Sequence, residues 1–165
     1  MSMIPTFKKE LEHEAQTTKK MLERIPDDKY DWQPHPKSMT IRQLSSHIAE
    51  LPEWITLSLT TDGLDFATTP YEPKHVDNTA DLMKNYEASL ANGFSELKEE
   101  NASKLGETWV LSNGDMVLNS STKAEVIRMT LNQIVHHRAQ LGVYLRLLNV
   151  PIPGSYGPSA DEQGF

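Results

Sequence analysis

The chain has 165 residues and a formal net charge of −7, with 16 Lys and Arg against 23 Asp and Glu and no cysteine. A chain of this length is expected to form one domain, residues 1–165, and to bury a real core. Its basic residues are scattered, with no run longer than the pairs Lys8-Lys9 and Lys19-Lys20, which excludes nucleic acid as a main partner because phosphate binding needs clustered Lys and Arg. Without cysteine there is no disulfide framework, thiolate metal site or cysteine nucleophile. The opening stretch Met1-Ser-Met-Ile-Pro-Thr-Phe-Lys-Lys9 is too polar for a secretory signal. No segment approaches the ~18 apolar residues of a membrane span, so a cytoplasmic protein without a membrane partner is expected.

Taken in order, residues 4–25 read as an amphipathic helix, with Ile4, Phe7, Leu11, Thr18, Met21, Leu22 and Ile25 on one side and lysines around the other. Pro26 ends it. Glu14 falls on the apolar side, either as a satisfied core polar group or as an outer partner of a bound cation. Residues 27–39 form a proline-marked loop in which His35 is a surface residue and Tyr30 and Trp32 cover the end of the helices. A second helix starts at Thr40, with Gln43 as its capping-box partner, and carries Ile41, Leu44, Ile48, Leu51 and Ile55 at seam spacing. His47 faces inward among them, and Pro52 is expected to kink the helix.

Residues 61–76 read as a surface loop, and a third helix is expected over residues 79–104, with Gly93 as a soft spot costing up to ~1 kcal/mol. Asn113-Gly114, between two short apolar runs, signals a hairpin that must lean on the helices. The last helix is expected from Ser121 or Thr122 to Asn149, ended by Pro151 and Pro153. The tail from Pro151 to Phe165 is irregular and free to wrap back; its Asp161 and Glu162 read as solvated acids. The fold class is therefore all-α, a four-helix bundle with a short hairpin-like insert before the last helix.

One polar intrusion stands out. At about 100° per residue, Gln133 and His137 lie one turn apart on the face of the last helix that also carries Val126, Thr130, Tyr144 and Leu148, while His136 points roughly 100° away. Bundles build metal sites from side chains of facing helices, and His47 and His137 with Gln133 could hold a divalent cation on three sides. Imidazole ligands suit Zn²⁺ or Ni²⁺ better than Mg²⁺ or Ca²⁺. Three protein ligands leave open positions, and such a cation could acidify water or polarise a substrate. The bland alternative is a satisfied core histidine. A serine triad fails, because Ser45 and Ser46 face elsewhere on the helix than His47 and no orienting acid is identifiable. A phosphate-cradling glycine loop is also absent.

Four stretches carry a resemblance over nearly the whole chain: Leu11-Glu-His-Glu-Ala-Gln-Thr-Thr18, Ser45-Ser-His-Ile-Ala-Glu-Leu-Pro-Glu-Trp54, His136-His-Arg-Ala-Gln-Leu-Gly-Val-Tyr-Leu-Arg146 and Tyr156-Gly-Pro-Ser-Ala-Asp-Glu162. In these the sequence resembles the DinB-like (DinB/YfiT) family of small bacterial bundles, whose name is shared with an unrelated DNA polymerase. The resemblance implies a four-helix bundle, usually a homodimer, holding a divalent metal with three histidines, one from the second helix and two at i and i+4 of the fourth. Carried over, these fall on His47, on Gln133, which departs from the pattern, and on His137. Glu14 and His136 are candidates for outer-sphere roles; His136 could replace Gln133 only if the helix rotated. Some similar bundles are metal-dependent transferases or isomerases that use a low-molecular-weight thiol. Two functional readings stay open: a metal-dependent small-molecule transferase or hydrolase, or a non-catalytic dimeric bundle with a degenerate metal site.

Overall fold

The structure, a computed structural model, describes residues 2–72 and 74–163; residues 1, 73, 164 and 165, including the end of the tail expected to be irregular, lie outside the described residues. Among the described residues five α-helices carry the bundle: α1 (Ile4–Leu22), α2 (Ile41–Glu50), α3 (Glu53–Thr60), α4 (Thr79–Glu96) and α5 (Lys123–Leu147). Each begins where its sequence allows. Pro5 sits in the first turn of α1, where its missing N–H is no loss. Thr40 with Gln43 and Thr122 with Glu125 form complete capping boxes at the starts of α2 and α5. The Asn78 side chain accepts from the Asp81 N–H at the start of α4.

Several expectations need correction. Pro52 does more than kink the second helix: it divides it into α2 and α3, because it has no N–H to offer the preceding turn. The third helix stops at Glu96, and residues 99–106 tighten into a 3₁₀ segment. Nor is the fold all-α. Gly63–Asp65 (β1), inside the expected loop, pairs in parallel with Thr108–Asn113 (β2), which pairs antiparallel with Met116–Thr122 (β3). The hairpin turn falls one residue later than Asn113-Gly114 suggests. Asn113 pairs with Met116, and Gly114 takes a φ of +60° as the first of two central residues. The sheet leans on the helices through Trp109, which is fully buried and donates its indole N–H to Thr61 Oγ1 at 3.1 Å.

Gly93, inside α4, has a packing role beside its helix-propensity cost. A Cβ there would lie 2.9 Å from the Pro52 carbonyl oxygen, so the residue allows α4 to pass close to the α2–α3 junction. Among the described residues no helix is long and apolar enough to cross a membrane.

The core has two parts. One gathers Leu22, Ile25, Tyr30, Ile41, Leu44, Leu82, Tyr86, Leu141 and Leu145, with Trp32 packed against it. The other gathers Ile4, Phe7, Leu11, Ile55, Leu59, Ile127, Leu131 and Ile134. Along α1 and α5 the two parts meet at Glu14 and Arg138. This buried ion pair also binds the tail: Arg138 donates to Glu14, to Thr18 Oγ1 at 3.1 Å and to Tyr156 Oη at 3.3 Å, and Tyr156 donates to Glu14 Oε1 at 2.5 Å.

Asp161 and Glu162 are not free acids either. Asp161 binds Arg146 at 2.5 Å and accepts the Ile152 N–H at 2.9 Å, and Glu162 pairs with Arg24, so the tail is clamped back onto α1 and α5. Breaking a buried pair leaves an uncompensated charge, whereas replacing both members by apolar groups is often close to neutral. Arg138→Met is therefore expected to destabilise by about 3–5 kcal/mol in urea unfolding, and Glu14→Leu/Arg138→Met by much less. A double variant as unstable as the single one would show that the hydrogen bonds to Thr18 and Tyr156, not the buried charge, carry the effect.

Candidate functional site

The capping box at Thr40 fixes where α2 begins, and with it the direction of His47 two turns later. On α5 the buried stripe runs through Ile134, Arg138, Leu141 and Leu145. Gln133 and His137 lie beside that stripe rather than within it, and both are half-buried. The structure brings His47 and His137 together, with ring centroids 4.8 Å apart and planes at 78°. His136 is exposed; its ring is 4.8 Å from that of His137 on the outer side, so it flanks the pair without facing His47. Gln133 lies one turn before His137, and its amide makes no hydrogen bond among the described residues.

The partners of each imidazole determine its tautomer. His137 Nδ1 is 2.8 Å from Gln140 Oε1, an acceptor only, so Nδ1 carries the proton. His47 Nδ1 is 3.3 Å from Tyr71 Oη. The single hydroxyl proton of Tyr71 goes to Glu50 Oε2 at 2.9 Å, so the tyrosine oxygen accepts from His47 Nδ1–H. Glu50 is itself held by the Lys74 N–H at 2.7 Å. Both rings therefore present an Nε2 lone pair, and no protein group accepts or donates there among the described residues. This is how metal-binding histidines are held, one nitrogen fixed by an outer hydrogen bond and the other free to ligate.

Both rings are also neutral at physiological pH. Burial, and secondarily the neighbouring His137, push His47 down to about 4. Burial lowers His137 as well, against the opposing pull of Gln140 and with a further push from His136. A cleft of about 500 Å³, lined by Met39, Gln43, His47 and Tyr71, opens onto His47.

The residues suit a divalent ion in part. Two imidazoles sharing one ion through nitrogens at about 2.0–2.1 Å place their ring centres roughly 4.5–5.2 Å apart, and the observed separation lies in that interval. Among the described residues no three His, Cys, Asp or Glu side chains gather as a metal site, so a third ligand has to come from Gln133 or solvent. Glu14 is not an outer partner of this pair. Its carboxylate binds Arg138 and Tyr156, which makes it the satisfied core group of the two readings.

Sequence reasoning missed Tyr71, Glu50 and Gln140. Helical spacing makes the last two visible in retrospect, since each lies three residues after a site histidine. Nothing local marks Tyr71, which reaches the site from a loop.

Fold and site together define a helical bundle with a polar pair set between two facing helices. The chain belongs to the DinB family, whose family model matches residues 1–163. It is 23% identical over 158 residues to an uncharacterised protein of Bacillus subtilis (strain 168), YrdA, covering 94% of this chain and 89% of that one. A crystal structure of a DinB-like protein from Bacillus cereus ATCC 10987 shares the fold with a TM-score of 0.70 and 20% identity, covering 91% of this chain and 95% of the other. More distantly, a mycothiol-dependent maleylpyruvate isomerase aligns with a TM-score of 0.58 and 13% identity, covering 84% of this chain and 60% of the isomerase.

The depressed His47 has a consequence for metal-free protein. Unfolded, this histidine titrates near its ordinary 6.5; folded, it titrates near 4. Between these values the unfolded chain binds the extra proton, so stability falls as pH drops from 6.5 toward 4. The urea midpoint of wild type should decline more steeply over this window than that of His47→Asn. Parallel declines would assign the loss to other groups.

Proposed function

We propose that the chain binds a divalent cation, Zn²⁺ or Ni²⁺, through Nε2 of His47 and Nε2 of His137, with the Gln133 amide oxygen or water completing the shell. The reaction class that suits such a centre is group transfer, isomerisation or hydrolysis of a small molecule, with a low-molecular-weight thiol as co-substrate. One observation carries the reading: two half-buried, neutral imidazoles lie with ring centroids 4.8 Å apart, edge to face, with both Nδ1 atoms committed and both Nε2 atoms free of protein partners among the described residues. The mycothiol dependence of the structurally similar isomerase supports the thiol, at the level of shared fold only.

A bound cation would supply a Lewis acid at the end of the cleft. The protein residues do the remaining work. Glu50 and Tyr71 hold His47 in its tautomer, and Gln140 does the same for His137. A second reading, a bundle whose pocket persists without catalysis, draws on Gln133, because a neutral amide oxygen is a weaker donor than the imidazole the family pattern implies there.

Metal uptake tests the proposal. Untagged wild type incubated with excess Zn²⁺ or Ni²⁺ and desalted should retain about one ion per chain by elemental analysis, and His47→Ala and His137→Ala should retain none. Gln133→His should tighten binding, and Tyr71→Phe should weaken it by about 10–100-fold through the outer hydrogen bond alone. Wild type that stays metal-free in excess cation would overturn the reading and leave the non-catalytic bundle.

A further inference from the structure

Behind Tyr71 lies a second cavity, of about 450 Å³, between α3, α4 and the segment that follows β1. Tyr71 belongs to both spaces: it lines this cavity and the cleft over His47, and its hydroxyl lies 3.3 Å from the histidine. The walls are apolar and largely aromatic, from Trp54, Leu57, Phe66 and the Tyr71 ring. Among the described residues three carboxylates, Glu50, Glu53 and Glu72, line it against a single ammonium, Lys74. The volume lies within the range of small-molecule sites, which are mostly apolar with a few placed polar groups.

The carboxylates are not equivalent. Glu50 is committed on both oxygens, to the Tyr71 hydroxyl and the Lys74 N–H. Glu53 accepts from Asn92 Nδ2 at 3.0 Å through Oε2, and its Oε1 has no protein donor among the described residues. A carboxylate with one free oxygen beside an indole ring offers two attractions to a cation: a charge-assisted hydrogen bond and the negative face of the aromatic ring. An anion entering the same space meets an excess of like charge in a chain that is already at −7.

We propose that this cavity binds the cationic end of its ligand, an ammonium group carried on an apolar body, with the ammonium at Glu53 and the body against Trp54 and Phe66. This deepens the metal-site reading by assigning a substrate class, and rests on that reading only for the reacting end of the molecule. It also separates this chain from its distant structural neighbour, named for maleylpyruvate, a carboxylic acid.

The test pairs two probes of the same shape and opposite charge, phenethylamine and 3-phenylpropionate. Each is titrated into metal-free and Zn²⁺-treated full-length protein, with tryptophan fluorescence and NMR chemical shifts as readouts. The amine should bind at least about 10-fold more tightly than the acid at low salt, and the preference should shrink as salt is added. Glu53→Gln should abolish the preference with the circular dichroism spectrum unchanged. Glu72→Gln, at an exposed position that does not bear on folding, should reduce it in part.

The proposal fails on equal or tighter binding of the acid, on no saturation by the amine at millimolar concentration, or on a preference that survives both variants. Amine binding by protein that takes up no metal would support the cavity while overturning the metal site. Metal uptake without amine binding would do the reverse.

Discussion

The Glu14–Arg138 pair, with Tyr156 across it, is the contact on which the rest of the site depends. It is buried, it joins α1, α5 and the tail, and it sits where the two halves of the core meet. A buried guanidinium cannot slide: its donors must stay on Glu14, Thr18 and Tyr156, because an unpaired charge in the interior costs several kcal/mol, of order 3–5. That fixes the rotation of α5 about its axis. With residue 138 turned inward, residue 137 falls roughly 100° around the helix, toward α2, and residue 136 another 100° beyond it, into solvent. The positions of His137 and His136 thus follow from where Arg138 points.

The same rotation explains why the histidines are half-buried. The core stripe of α5 passes through Ile134, Arg138, Leu141 and Leu145, and Gln133, His137 and Gln140 line its edge. At an edge a ring loses enough water to disfavour its charged form, as the depression of both histidines shows, yet it keeps a path to solvent. Deep burial would leave a satisfied core histidine, and full exposure would leave one that titrates near the ordinary 6.5. The border position permits a neutral, accessible lone pair.

Much of this was legible in the sequence, and the parts that were not share a cause. The helices appear through apolar spacing and caps, since Thr40 with Gln43 and Thr122 with Glu125 act locally. His47 and His137 were found because a polar residue near an apolar face breaks a local rule. Arg138 breaks the same rule more severely, and its role was missed because a charge is read as solvated unless its distant partner is known. Glu14 is 124 residues away along the chain. The ion pairs of Asp161 and Glu162 were missed for the same reason, their partners being Arg146 and Arg24. The strand β1 has only three residues and no alternation to detect, so it becomes a strand only when β2 lies beside it.

That small sheet, the part of the fold least like a helical bundle, accounts for the one site residue with no local signal. Trp109 anchors β2 in the bundle, β2 holds β1, and Asp65 at the end of β1 accepts from the Ala67 and Gly114 N–H groups at 3.0 and 2.8 Å. Farther along, Arg42 on α2 holds the Val76 carbonyl and the Asp77 carboxylate. The segment between is therefore tethered at both ends, and its Tyr71 is set against His47 and Glu50. A helix-only bundle would offer His47 no fixed acceptor on that side, and its imidazole would be free to present either nitrogen. The sheet removes that freedom, and in doing so makes Tyr71 the shared wall between the histidine cleft and the acidic, aromatic cavity behind it.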